Sequence, residues 1–258
     1  MAQQRGRADE KKAAQAKRDQ RRAKAERAKA AAAEARRKAK RKERLTYVVV
    51  AVVALALVVG GFFLVRWFTD TSDTAAPPEG ASSDFGVVVG DADATHEVVI
   101  YEDFLCPACG DLEATLEEPL ATAIEDGRAR VEYRTLDFLS QYGDYSLRAA
   151  NAFAAVLDTA GPEAAQEFHR SLFADQPPES GPFPDDDALV DQAVAAGADE
   201  STVRPLIEDL GFEGWIADGT EAASQAGVRS TPTVYVDGQQ AAGQTTQDVA
   251  RAVLAAIE

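Results

Sequence analysis

The sequence predicts an α/β domain, a mixed sheet flanked by helices and divided by a helical insertion, placed behind one membrane-spanning helix and a basic N-terminal tail. Three observations lead there. Short β-branched runs and helical periodicities follow one another in an order that opens β-α-β and closes β-β-α. A 21-residue stretch without any charge precedes them. Charge also divides sharply along the 258 residues, whose net is -16. Residues 1–44 hold 18 Lys/Arg against 6 Asp/Glu, whereas residues 69–258 hold 8 Arg, no Lys and 37 acids. Such asymmetry predicts different surroundings for the two ends.

The tail, residues 1–44, is nearly all Ala, Lys, Arg, Glu and Gln, with no apolar stripe at helical spacing. It reads as a solvated basic segment beside a membrane. Residues 45–65 (LTYVVVAVVALALVVGGFFLV) are uncharged, and at about 1.5 Å rise each they cross a hydrocarbon core of about 30 Å. With Tyr47 and Trp67 near its ends, the span is taken as 45–68. A cleaved signal peptide is the competing reading, but its basic region is short and its apolar core only about 7–15 residues. Basic residues before the span and acids after it place the N-terminus in the cytoplasm and the C-terminal domain outside, as a single-pass protein of the cell membrane. Residues 69–83 (TDTSDTAAPPEGASS) read as a polar linker.

The folded domain is expected over 84–258. Phe85–Val89 reads as an edge strand, GDADATH as a loop, and Val98–Glu102 as a buried strand. Beyond the Cys106-Pro107-Ala108-Cys109 motif, Leu112, Leu116, Leu120 and Ile124 recur at helical spacing. Arg128–Leu136 alternates as a strand. Helices are predicted over Ser146–Leu157, Pro162–Phe173, Asp186–Ala196 and Ser201–Leu210, forming an insertion at about 140–212, and another over Trp215–Ala226. Thr233–Val236 and Gln239–Ala242 form a hairpin around the Asp237-Gly238 turn, and Thr246–Ile257 closes the chain as a helix.

The chemistry concentrates at Cys106 and Cys109. Cys106 falls at a predicted N-cap, with Pro107 preorganised for the first helical turn. It then faces unpaired N–H groups and the positive end of the helix dipole, both of which favour thiolate. Cys109, one turn deeper, is placed to resolve a mixed disulfide. A structural bridge closing so short a loop would remove little chain entropy. A closed zinc site needs four ligands, and His96 and His169, the only histidines, lie about 10 and 60 positions from the nearer Cys. Each His is expected to be an ordinary surface or half-buried residue, and no metal or other cofactor is expected.

YEDFLCPAC, a helical insertion, then GVRSTPTVYVDGQ resembles the DsbA-like branch of thioredoxin-fold disulfide oxidoreductases over residues 84–258. The resemblance implies a thioredoxin fold with a helical insertion. It assigns Pro107 and Ala108 to the redox motif. It assigns Thr231 and Pro232 to a cis-Pro loop that faces the active-site disulfide and pairs with a client peptide as an added strand. Departures follow. Many family members carry a buried acid where this chain has Ile100, so Glu102 and Asp103 become the candidates for a proton relay from Cys109. The alternative for this pair is one solvated acid at the strand end and one acid capping a loop. Pro107-Ala108 lacks the His of strongly oxidising relatives, and Asp111 and Glu113 oppose thiolate formation, which implies a weaker oxidant.

The expected function is a membrane-tethered thiol-disulfide oxidoreductase that exchanges disulfides with exported proteins, as an oxidase. Disulfide isomerase, reductase and a non-catalytic peptide-binding scaffold are the alternatives. The family implies a quinone-linked membrane reoxidant of the DsbB or vitamin-K-epoxide-reductase (VKOR) type. Nucleic acid is disfavoured as a partner by the domain's acidity. Phe183, Phe212 and Trp215 are candidates for a client groove, with burial in the core as the competing reading.

Overall fold

The computed structural model describes residues 76–258. The basic tail, the predicted span and the start of the predicted linker lie outside the described residues. Among those described, no helix is long and apolar enough to cross a membrane.

Five strands form one sheet in the order β1-β3-β2-β4-β5. They are β1 (Val87–Val89), β2 (His96–Glu102), β3 (Ala129–Thr135), β4 (Thr233–Val236) and β5 (Gln239–Gln240). The central β2 pairs in parallel with β3, setting Ile100 opposite Tyr133, and antiparallel with β4, setting Ile100 opposite Val234. A parallel pair needs a crossover, and helix α1 (Pro107–Glu125) supplies it. The buried face of α1 carries Cys109, Leu112, Leu116 and Leu120. Full burial of each leucine is worth roughly 2 kcal/mol, so this face holds the helix against the sheet. At the far edge, Asp237 (φ 50°) and Gly238 (φ 75°) take the left-handed conformation that a two-residue hairpin requires.

The insertion comprises α2 (Tyr145–Ala174), α3 (Asp186–Ala195) and α4 (Glu200–Glu208), followed by α5 (Glu213–Gln225). The two helices predicted over 146–173 form one run, broken only at Gly161 (φ 85°, ψ 179°) ahead of Pro162. The first half of α2 is buried nearly all round through Ala149, Ala150, Ala152, Phe153, Ala154 and Ala155. Its small side chains let neighbouring elements approach closely. Asn151 is fully buried there. Its Nδ2 donates to Leu206 O at 3.0 Å and its Oδ1 accepts from Phe212 N at 2.8 Å, which ties the α4–α5 turn to α2. Helix α6 (Thr246–Ala256) ends the fold, capped by the Thr245 side chain.

Residues 76–83 lie on the domain. Pro78 is buried, Glu79 N donates to Asp158 Oδ1, Ala81 bridges to Val87, and Ser82 Oγ donates to Glu132 Oε1. His96, expected in a loop, begins β2 and reaches Asp237 Oδ2 at 2.8 Å through Nδ1.

Candidate active site

The site lies where β2 runs into α1. Cys106 occupies the N-cap (φ -75°, ψ 115°) and Pro107 starts the helix. The Cys106 carbonyl accepts from Cys109 N and Gly110 N, and also from Gln176 Nε2 at 3.0 Å, just beyond the end of α2. The same Gln176 nitrogen donates to Phe104 O, so the insertion pins both ends of the short segment that presents the thiol. Both cysteines are free thiols.

Their environments differ. A hydrogen bond from the Cys109 thiol lowers the Cys106 pKa to about 6, helped by the Thr231 side chain and the backbone amides of Cys109 and Ala108; burial opposes them. Burial pushes Cys109 well above the ordinary thiol range, and the adjacent Cys106 and Glu102 push it further. At neutral pH the motif therefore holds a thiolate at the helix start and a protonated thiol beneath it.

The cis-Pro loop closes over this sulfur. The Thr231–Pro232 peptide is cis and directly precedes β4. Cys106 Sγ lies 3.4 Å from the Thr231 carbonyl oxygen, to which its protonated form donates. Thr231, Cys106, Phe138, Leu139, Val228 and Arg229 line an open groove of about 440 Å³. Phe212 and Trp215 do not line it, because both are buried in the core, and Phe183 instead stacks on Tyr145 with ring centroids 5.8 Å apart. The groove's aromatic wall comes from Phe138, beside a β-strand end whose run gave no such signal.

Both acids before the motif are buried, so the expected solvated strand-end acid is absent from this pair. Asp103 anchors loops. Its Oδ1 accepts from Leu105 N and Ser146 Oγ, and its Oδ2 from Phe138 N and Leu139 N. Burial raises its pKa in spite of these four bonds. Glu102 turns instead toward the insertion, where its Oε1 lies 2.6 Å from His169 Nε2.

His169 corrects the expectation of a surface or half-buried histidine: it is fully buried, with aromatic neighbours Phe104, Tyr133, Phe153 and Phe173. A single-residue view fails here because the two carboxylates that allow such burial are 67 and 56 residues away in sequence. Glu113 Oε1 stands 3.6 Å from its Nδ1. Burial disfavours the imidazolium, but Glu102 and Glu113 outweigh it and raise the His169 pKa. Burial pushes Glu113 up to about 7, against the pull of His169. Ligand atoms of Glu102, Glu113 and His169 lie within 4.8 Å of one another. The 2.6 Å Nε2–Oε1 separation is a hydrogen-bond length, shorter than the roughly 3.3 Å between two ligands on an ion bound at about 2.0–2.1 Å. The trio therefore fits a shared proton better than a metal.

Comparison with known proteins agrees with this architecture. DsbA of Mycobacterium tuberculosis, in its oxidised form, superposes with a TM-score of 0.57 at 29% identity, covering 67% of this chain and 92% of that one. MdbA of Corynebacterium diphtheriae, a thiol-disulfide oxidoreductase, superposes with a TM-score of 0.56 at 27% identity, covering 70% and 100%. BdbD of Bacillus subtilis, at 22% identity and a TM-score of 0.60 over 69% of this chain and 93% of that one, shares the fold. The serine/threonine-protein kinase PknE of Mycobacterium tuberculosis is 31% identical over 124 residues, which is 46% of this chain. The match spans only 22% of that kinase's length. The family profile described as Thioredoxin matches residues 82–256. With a dithiol at a helix start under a cis-Pro loop and these relatives around it, the chain belongs to the thioredoxin family, and its described domain is that of a thiol-disulfide oxidoreductase.

Proposed function

We propose that the chain is a membrane-tethered oxidase that introduces disulfides into exported proteins, with Cys106 as the exchanging thiol and Cys109 as its resolving partner. In the oxidised form a client thiolate attacks Cys106 Sγ, the Cys106–Cys109 bond breaks, and Cys109 leaves as a thiolate that takes up a proton. A second client thiolate then attacks the client sulfur of the mixed disulfide. That step forms the client disulfide and releases Cys106 as a thiolate. The client peptide lies against the Thr231–Pro232 loop beside Pro107 and Ala108. A quinone-linked membrane reoxidant of the DsbB or VKOR type accepts the two electrons and restores the disulfide.

The observation that carries this reading is the unequal pair, an acidic Cys106 thiol above a buried, protonated Cys109. A stabilised thiolate favours the dithiol form over the disulfide, which makes the disulfide a better oxidant. The thiol near 6 falls between those of thioredoxin, about 7, and strongly oxidising DsbA, about 3.5. The uncharged run at 45–65 supports the tether, which confines enzyme and reoxidant to one surface and raises their effective concentration.

The test uses the full chain in detergent micelles with a reduced, denatured secreted protein. Net formation of client disulfides by the oxidised chain supports an oxidase. Reshuffling of scrambled disulfides without net oxidation would make it an isomerase, and an inert chain would leave a binding scaffold. Protease accessibility of the C-terminal domain in intact spheroplasts tests the tether and its orientation.

A further inference from the structure

The domain's charges are distributed with one exception that falls at the site. Residues 76–258 carry eight arginines and no lysine. Seven of them stand within salt-bridge distance of a carboxylate: Arg128 of Asp126, Arg130 of Glu97, Arg134 of Glu132, Arg148 of Asp186, Arg170 of Glu117, Arg204 of Asp187 and Arg251 of Asp248. The eighth, Arg229, has no carboxylate partner among the described residues. In so acidic a domain an exposed guanidinium without an acid at salt-bridge distance is the unusual case, and this one lines, together with Glu179, the groove that holds Cys106 and Thr231.

Its geometry suits recognition. Arg229 Nη1 donates to the Ser224 carbonyl at 2.8 Å, which fixes one arm of the guanidinium and leaves the other donors toward solvent. Arg229 precedes Thr231 by two positions, and the Thr231 carbonyl touches Cys106 Sγ. Both residues line the same groove as Cys106. A client chain lying along this loop with its sulfur at Cys106 therefore passes Arg229 within a few residues of its own cysteine. A planar guanidinium matches a carboxylate with two parallel hydrogen bonds. The rest of the domain repels anionic chains, so Arg229 rewards an acid at one position and not overall negative charge.

We infer that Arg229 is a specificity-determining residue, which selects client segments carrying an Asp or Glu side chain two or three residues from the reacting cysteine. This rests on the exchange reading above and names the clients that site prefers.

The test is exchange between the full chain in micelles and a peptide series in which Glu, Gln or Lys occupies one position two or three residues from the cysteine. The readout is the ratio of kcat/KM values within the series. Damage to the dithiol lowers all rates together and leaves that ratio unchanged. We expect the Glu peptide to exceed the Lys peptide by about fivefold, the scale of one exposed ion pair. Arg229→Gln should bring the ratio near one, Arg229→Lys should keep part of it, and Arg229→Glu should invert it. A wild-type ratio near one, a Lys preference set by Glu179 on the same groove, or a Glu preference that survives in Arg229→Gln would each overturn the inference. Wild-type chain inert toward every peptide would instead remove the exchange reading, and this inference with it.

Discussion

Cys106 Sγ and the Thr231 carbonyl oxygen stand 3.4 Å apart across 125 residues of chain. The thiol thus faces the backbone edge that a client peptide would pair with under the proposed function. This contact joins the start of α1 to the cis-Pro loop ahead of β4.

The first prediction concerns thiol acidity. Alkylation of the reduced chain by iodoacetamide should label Cys106 first, with a rate that rises through a midpoint near pH 6. Cys109 should stay unlabelled until well above the ordinary thiol range. Because the Cys109 thiol is the leading cause of the depression, Cys109→Ala should move the Cys106 midpoint up toward the ordinary thiol range. Faster labelling of Cys109 would reverse the proposed roles.

A second prediction follows for the redox couple. With Cys106 less acidic than in strongly oxidising DsbA and no His between the cysteines, the potential should fall between about -270 and -120 mV. Equilibration against glutathione, read by mass after acid quench and alkylation, measures it. A value at the oxidising end would mean that another group stabilises the thiolate.

Asp103 gives a third. Removing its carboxylate in Asp103→Ala strips acceptors from three backbone N–H groups and the Ser146 hydroxyl. Buried donors without partners cost about 1–3 kcal/mol each, not additively, so a loss of about 3 kcal/mol is expected. For a domain of this size that lowers Tm by roughly 10 °C. Thermal unfolding of the reduced chain is the measurement, and a change below about 2 °C would show that water replaces the carboxylate.

The buried trio predicts how stability varies with pH. Glu113 ionises at 4.5 when unfolded and near 7 when folded. Between these values the unfolded chain releases a proton that the folded chain keeps, so stability falls as pH rises through the window. The loss reaches about 3 kcal/mol at most, from about 1.4 kcal/mol per pH unit. The raised His169 acts in the same direction, since its favourable imidazolium is fully present below 6.5 and disappears as pH climbs through its folded value. In the oxidised chain, where no thiol titrates, Tm should therefore decline from pH 5 to pH 8; in the reduced chain the Cys106 thiol, about 6 when folded against 9.0 when unfolded, opposes the decline above pH 6. Glu113→Gln should flatten the decline and stabilise the chain at pH 8. A Tm that rises over this range in the oxidised chain would exclude the raised values of Glu113 and His169.

Much of the domain was legible along the chain. The buried face of α1 followed from leucines at helical spacing, and the β4–β5 hairpin from an Asp-Gly pair between short apolar runs. The position of the thiol pair was legible because its placement is local: an N-cap, a proline and a helix start lie within four residues. His169 was not legible, and neither was Asn151, because each is satisfied by groups more than fifty residues away in sequence. Periodicity records which side of an element faces inward, but not which buried polar group meets which.

Order and kind of elements, the position of the dithiol and the division of charge were determined by the sequence alone, because backbone propensity, hydrophobic period and net charge are properties of neighbouring residues. Tertiary structure decided that Glu102 faces His169 while Asp103 ties loops together, that Phe138 and Arg229 line the groove beside the sulfur, and that, among the described residues, one arginine of eight has no carboxylate within salt-bridge distance. Those are distances between remote segments, and only the packing of the insertion against the sheet sets them.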